Sequence, residues 1–123
     1  MTDSSWKEFI KKSKAKYRTI GRVPCPAFDG EFVYFNKYGW NHLLRKGKNA
    51  RDRFEQLKRI NLMLISPFII ANSKQISEYR TNSIESVQGH FWSFRMNING
   101  DHLRVVVRQL NNGPKHFFSV MYG

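Results

Sequence analysis

His90-Phe91-Trp92-Ser93-Phe94-Arg95-Met96-Asn97-Ile98, then Asn99-Gly100, then Leu103-Arg104-Val105-Val106-Val107-Arg108-Gln109-Leu110, then Asn111-Asn112-Gly113-Pro114, then Lys115-His116-Phe117-Phe118-Ser119-Val120-Met121 is the stretch that decides the fold. Three runs rich in aromatic and β-branched residues are separated by two turn signals. Asn-Gly supplies two residues that tolerate positive φ, the backbone that a tight hairpin needs. The runs 90–98, 103–110 and 115–121 are therefore expected to form an antiparallel meander. Side chains alternate across a strand. Trp92, Phe94, Met96 and Ile98 then share one face with Leu103, Val105, Val107, Phe118 and Val120. The other face carries Arg95, Arg104, Arg108, Lys115, Phe117 and Ser119. A bulge would bring His116 onto that second face.

Upstream, Phe68-Ile69-Ile70 is an apolar run of strand length and adds a fourth strand. Glu78-Tyr79-Arg80 is a short strand candidate, and Ser83 to Gly89 reads as a loop. The strongest helix signal is Arg51 to Ile65, where Phe54, Leu57, Ile60 and Leu64 follow the helical period and Ser66-Pro67 ends it. Residues 4–20 form an amphipathic basic helix. Trp6, Phe9, Ile10 and Tyr17 lie on one side, and Lys7, Lys11, Lys14 and Arg18 lie largely opposite. Ser4 or Ser5 with Glu8 resembles a capping box, and Gly21 can close the helix. Pro24 and Pro26 enforce an extended connector, Asp29-Gly30 turns the chain, and Phe32 to Phe35 is a strand. The expected fold is α+β: N-terminal helices packed on one face of a four-stranded antiparallel sheet. It forms one domain over 1–123, with the basic helix at 1–22 and the core at 32–121.

Between that strand and the long helix stands Tyr38-Gly39-Trp40-Asn41-His42-Leu43-Leu44-Arg45-Lys46-Gly47. On a helix, Arg45 and Lys46 follow His42 on one face, about 5–6 Å apart at Cβ. Imidazole exchanges protons near neutral pH, and the two cations stabilise an anionic phosphate. Those are the parts that phosphodiester cleavage requires. A lone histidine on a short helix is more often structural, so the rest of the chain has to support the assignment.

Composition does so. The formal net charge is +12 over 123 residues, from 21 Lys and Arg against 9 Asp and Glu. That imbalance in a small domain points to a polyanionic partner. Aromatic residues make up 15% of the chain, enough for a bulky core and for base-stacking surfaces. With Cys25 as the single cysteine, no intrachain disulfide and no two-cysteine metal clip is possible. His42, His90, His102 and His116 lack zinc-helix spacing, so no cofactor or metal is expected. No signal peptide and no membrane span is read, and a cytoplasmic protein is expected.

The order now assembled resembles the barnase–EndoU–colicin–RelE superfamily of metal-independent ribonucleases, and its phage-associated branch in particular. The similar elements are Phe35-Asn36-Lys37-Tyr38-Gly39-Trp40-Asn41-His42-Leu43-Leu44-Arg45, Leu64-Ile65-Ser66-Pro67-Phe68-Ile69-Ile70, Leu103-Arg104-Val105-Val106-Val107-Arg108 and His116-Phe117-Phe118-Ser119-Val120. They span roughly residues 32–121. The resemblance implies a toxin-like endoribonuclease restrained by an acidic antitoxin or immunity protein. It places a histidine on a helix (His42), a basic residue on a central strand (Arg108, or Arg95) and a hydroxyl on the last strand (Ser119). Lys46 would help to offset phosphate charge, and His116 is the reserve proton-transfer group. Arg45, Lys48, Arg51, Arg95, Arg104, Lys115 and Phe117 would contact RNA. The alternative is a non-catalytic RNA- or DNA-binding module that uses the same basic face and leaves His42 idle. A third class is a subunit whose positive surface meets an acidic protein.

Overall fold

Thr2 opens the first helix: its side chain accepts a hydrogen bond from the Ser5 amide at 3.1 Å, satisfying one of the orphan donors of a helix start. The computed structural model describes residues 2–84 and 86–123. Helix α1 (Asp3–Ile20) stops at Gly21, whose φ of 66° a side chain would resist. Strand β1 (Arg22–Pro24) runs through a short 3-10 turn, Pro26–Phe28, into β2 (Phe32–Tyr34), with which it pairs antiparallel. Asn36 caps α2 (Lys37–Leu44) by accepting from the Tyr38 amide at 3.2 Å.

Helix α2 ends at Leu44, because Arg45–Lys46 (β3) and Asn49–Ala50 (β4) form a two-stranded hairpin about Gly47. The expected helical face of His42, Arg45 and Lys46 is therefore not formed. Asp52 caps α3 (Arg53–Met63). Ser66-Pro67 starts a helix rather than serving only as a stop. Proline needs no amide partner in a first turn, and α4 (Ser66–Asn72) follows from it. Phe68-Ile69-Ile70, expected as a strand, is thus helical, with Ile69 and Ile70 fully buried. Among the described residues the elements close with β5 (Glu78–Ile84), β6 (Val87–Ile98), β7 (Asp101–Leu110) and β8 (His116–Tyr122). The expected loop over 83–89 is largely strand; Glu85 within it lies outside the described residues.

The main sheet is six-stranded and mixed, in the order β1-β2-β8-β7-β6-β5, rather than four-stranded and antiparallel. The meander forms as expected. Asn99 (φ 52°) and Gly100 (φ 90°) make its first turn with both φ positive. The departures come from the edges: β2 joins β8 in parallel, at Tyr34↔His116, and β5 pairs antiparallel along β6.

One face of the sheet carries the core. Phe94, Leu103, Val105, Val107, Phe117 and Val120 pack there with Trp40, Leu43, Ile60, Met63, Ile69 and Ile70 of the helices. A β-bulge between Val106 and Val107 resets the faces of β8. Val106 pairs with Ser119 and Val107 with Phe117, so Phe118 is the inserted residue. Phe117, expected on the open face, is fully buried in the core, and Phe118 replaces it outside. His116 comes to lie beside Arg108 on the open side. Lys115 is also misplaced by simple alternation. It lies over the Phe28 and Trp92 rings and pairs with Glu31 at 2.9 Å, away from Arg104 and Arg108.

Helices α2 and α3 lie along β8 beyond its short pairing with β2. Gly39 permits this approach. A Cβ there would fall 2.4 Å from the Phe117 carbonyl and 2.5 Å from the Tyr17 hydroxyl. No helix of the described residues is long and apolar enough to cross a membrane.

Candidate active site

Where α2, α3 and the hairpin β3–β4 meet the open face of β5–β8, they enclose a cavity of about 520 Å³. Five cations line it: Lys46 from the hairpin, Arg51, Arg59 from α3, Arg80 from β5 and Arg104 from β7. Its acid is Glu78, which is paired with Arg95. His42, Ser119, Phe91 and Phe118 complete the surface that matters chemically.

His42 enters from α2 and rests on the Phe118 ring, with centroids 4.1 Å apart. Arg51 fixes the end of that helix by donating from Nε to the His42 carbonyl at 3.0 Å. The imidazole Nδ1 is sealed from solvent and has no hydrogen-bond partner among the described residues. Burial, reinforced by Arg51, Arg59, Arg108 and Lys46, pulls its pKa from 6.5 down to about 4. The ring is thus neutral at physiological pH, and its surroundings oppose the protonated form.

Arg59 is, like Arg80, a cavity cation that the sequence did not single out. It is held from both sides: Nε donates to Glu55 Oε1 at 2.9 Å, and Nη1 donates to Ser119 Oγ at 3.1 Å. Ser119 is buried at 1% exposure, so its hydroxyl is fixed by the guanidinium rather than by solvent. The signal for Arg59 was present in Glu55, four residues earlier, the spacing that pairs side chains along a helix. Arg104 reaches the cavity from the sheet, with Nη2 near Met121 Sδ and a buried Nε that has no partner among the described residues. Two residues that line the cavity, His42 and Arg104, thus each keep a buried nitrogen without a hydrogen bond among the described residues, a costly state.

Arg108 and His116 lie just outside the cavity and act on each other. Arg108 Nε donates to His116 Nε2 at 3.0 Å, and its guanidinium stacks on Phe118 at 4.4 Å and Tyr38 at 5.4 Å. Since guanidinium stays charged, His116 must accept, and its own proton sits on Nδ1 in the neutral ring. Burial, and then Arg108, hold its pKa at about 4, against the pull of the Pro114 backbone. His116 is 2% exposed and clamps Arg108 in place.

The remaining expected contacts divide. Lys46 and Arg51 reach the cavity with His42 although no helical face joins them. Arg45 turns away, donating to the Lys48 carbonyl, and Lys48 is exposed in the hairpin turn. Arg95 is held by Glu78 at the rim. Lys115 and Phe117 are elsewhere, as described above. Among the described residues no three His, Cys, Asp or Glu side chains gather as metal ligands would.

Comparison with protein-family models, with curated proteins and with solved structures finds no match for this chain.

Proposed function

We propose that the protein is a metal-independent endoribonuclease related to the barnase–EndoU–colicin–RelE group. The observation that carries this is one cavity in which a neutral imidazole and a buried serine hydroxyl face five cations. The phosphate of the scissile link sits between Arg59, Arg104 and Lys46, with Ser119 Oγ hydrogen-bonding a non-bridging oxygen. Phe118 and Phe91 offer ring surfaces for an unstacked base. His42 takes the proton of the ribose 2′-hydroxyl. The O2′–P bond forms as the P–O5′ bond breaks, and the departing oxygen takes a proton from solvent. The products are a 2′,3′-cyclic phosphate and a 5′-hydroxyl end.

Each part has a physical magnitude. A positioned proton-transfer group contributes about 10²–10⁴-fold in rate. Loss of one preorganised charge contact costs about 10²–10³-fold. The bound phosphate also raises the pKa of His42, because an adjacent anion favours imidazolium. The same basic cleft would be closed by an acidic antitoxin or immunity protein, and the activity is assigned to the cytoplasm, where RNA is plentiful.

A second reading, a non-catalytic RNA- or DNA-binding module, draws on the sealed Nδ1 of His42. No acceptor among the described residues orients the ring, as catalytic histidines usually require. Incubation of the purified protein with mixed tRNA and rRNA in EDTA, followed by end-group analysis, separates the two. Cyclic phosphate ends are expected. Intact RNA bound by a protein that never cleaves it would establish the second reading.

A further inference from the structure

Helix α2 has two working sides. His42 lines the cleft, with Tyr38 beside it against His116 and Arg108, while Lys37, Trp40 and Asn41 line a second cavity of about 230 Å³ shared with α1. The floor of this cavity is rigid. Tyr17, Phe35 and Trp40 are all buried, and Tyr17 lies 5.8 Å from Phe35 and 5.6 Å from Trp40 between ring centroids. The Tyr17 hydroxyl donates to the Asn36 carbonyl at 2.6 Å, tying α1 to the start of α2. The rim is cationic: Lys14 and Arg18, one turn apart on α1, face Lys37. No Asp or Glu lines the cavity, and among the described residues none of the three cations has a carboxylate within ion-pair distance. By contrast Asp3, Glu8, Glu31, Glu55 and Glu78 all pair with cations elsewhere. Lys7 and Lys11 extend the line of Lys14 and Arg18 along α1 at helical spacing.

We propose that the cavity between α1 and α2 is a second phosphate site, gripping the backbone of a single-stranded nucleic acid whose reacting link lies in the cleft. The proposal rests on the reading of the cleft as a nucleic-acid site. Lys14, Arg18 and Lys37 line the rim without a carboxylate, Lys37 with its ammonium 5.5 Å from the Tyr38 ring centroid, so the site's excess positive charge favours a phosphodiester, and the amide of Asn41 adds a hydrogen-bond donor. The aromatic floor keeps the rim residues from collapsing inward. Only the thickness of one helix, about 10–12 Å with side chains, separates the two cavities. A strand crossing α2 therefore reaches both, whereas a dinucleotide reaches one. Duplex would have to bend around α2 to do the same, so the arrangement selects an unpaired strand.

The test compares two variants that lose the same charge from α1. Lys14→Gln/Arg18→Gln removes the rim, and Lys12→Gln/Lys16→Gln removes two lysines from the far side of the helix. Binding of an RNA of about 10 nucleotides, within the span a small single-strand-binding fold covers, is measured by fluorescence anisotropy across a salt series. Each phosphate contact on a single strand contributes about 0.7 to the slope of log K against log salt. The rim variant should therefore lose about 0.7 from the slope, the share of the one phosphate held there, and the control should lose little. The affinity ratio of wild type to rim variant should also rise from dinucleotide to the longer RNA. Equal slopes in the two variants, or a ratio independent of length, would overturn the second site. If wild type binds the longer RNA but neither binds nor cleaves a dinucleotide, the cleft assignment is the one that fails, and the slope comparison still decides the second site.

Discussion

Along β7, Leu103, Val105 and Val107 are almost completely buried, while Arg104 and Arg108, between and beyond them, stay partly open on the other side. Along β8 the same two faces separate Phe117 and Val120 from His116, Phe118 and Ser119, although of these only Phe118 is partly open. Both faces are cut from the same strands, yet one is held by apolar packing and the other by guanidinium contacts. The core face tolerates no change of volume because its neighbours cannot relax. The open face is rich in charge that the fold itself does not neutralise. The difference implies that stability and activity can be damaged separately, residue by residue, along one strand.

The strongest way to sharpen this contrast is Phe117→Ala. Removing a fully buried ring that stacks on Phe35 at 4.9 Å should cost about 3–5 kcal/mol of stability, read by urea unfolding. A loss under about 1 kcal/mol would mean that this face is not the core. Its counterpart across the sheet is His42→Ala, which should lower cleavage at least about 10²-fold, or roughly 2.7 kcal/mol in barrier. RNA binding and the unfolding midpoint should stay close to wild type. Unfolding of this variant would instead mark His42 as a structural residue.

Arg108→Lys should have a smaller effect, about 10-fold in turnover. Lysine keeps the charge but cannot donate to His116 Nε2 while lying flat on Phe118. Full activity in that variant would take Arg108 out of the working face and leave Arg59 and Arg104 as its cations. The gentlest probe is pH. His42 and His116 have pKa values near 4 when folded and an ordinary value of 6.5. The unfolded chain therefore binds more protons between those limits, and stability should fall as pH drops from about 6.5 towards 4. His116→Asn should flatten part of that slope in thermal melts. An unchanged slope would mean that His116 is not held neutral by the fold.

Local chemistry made some of this architecture readable and hid the rest. Asn99-Gly100 announced its hairpin because few other pairs accept two positive φ angles. The α3 helix was visible from its apolar spacing, but its expected stripe was only partly right: Phe54 and Leu64 are exposed, and Ile60, Leu62 and Met63 are the residues it buries. Phe68-Ile69-Ile70 deceived because three apolar residues carry no period, and Pro67 can open a helix as readily as it can end one. Glu78-Tyr79-Arg80 was legible as a short strand, but the full length of β5 was not, since residues exposed on both faces show no apolar alternation. In the site, His42 and Lys46 were grouped correctly by an argument that failed, because the hairpin β3–β4 rather than a helix returns Lys46 to the cavity. Phe117 and Phe118 exchanged roles because one inserted residue reverses a face and leaves no trace in composition.

The position of β8 carries a further consequence, for the order of events during synthesis. It follows the other described elements in the chain, yet it lies inside the sheet between β2 and β7. It also delivers Phe118 and Ser119 to the cleft. A nascent chain that has emerged only as far as β7 can build the β5–β7 hairpins, but His42 then lacks the Phe118 ring and Arg59 lacks Ser119. The cleft is therefore complete only once β8 has inserted between β2 and β7, after the elements on either side of it have been made.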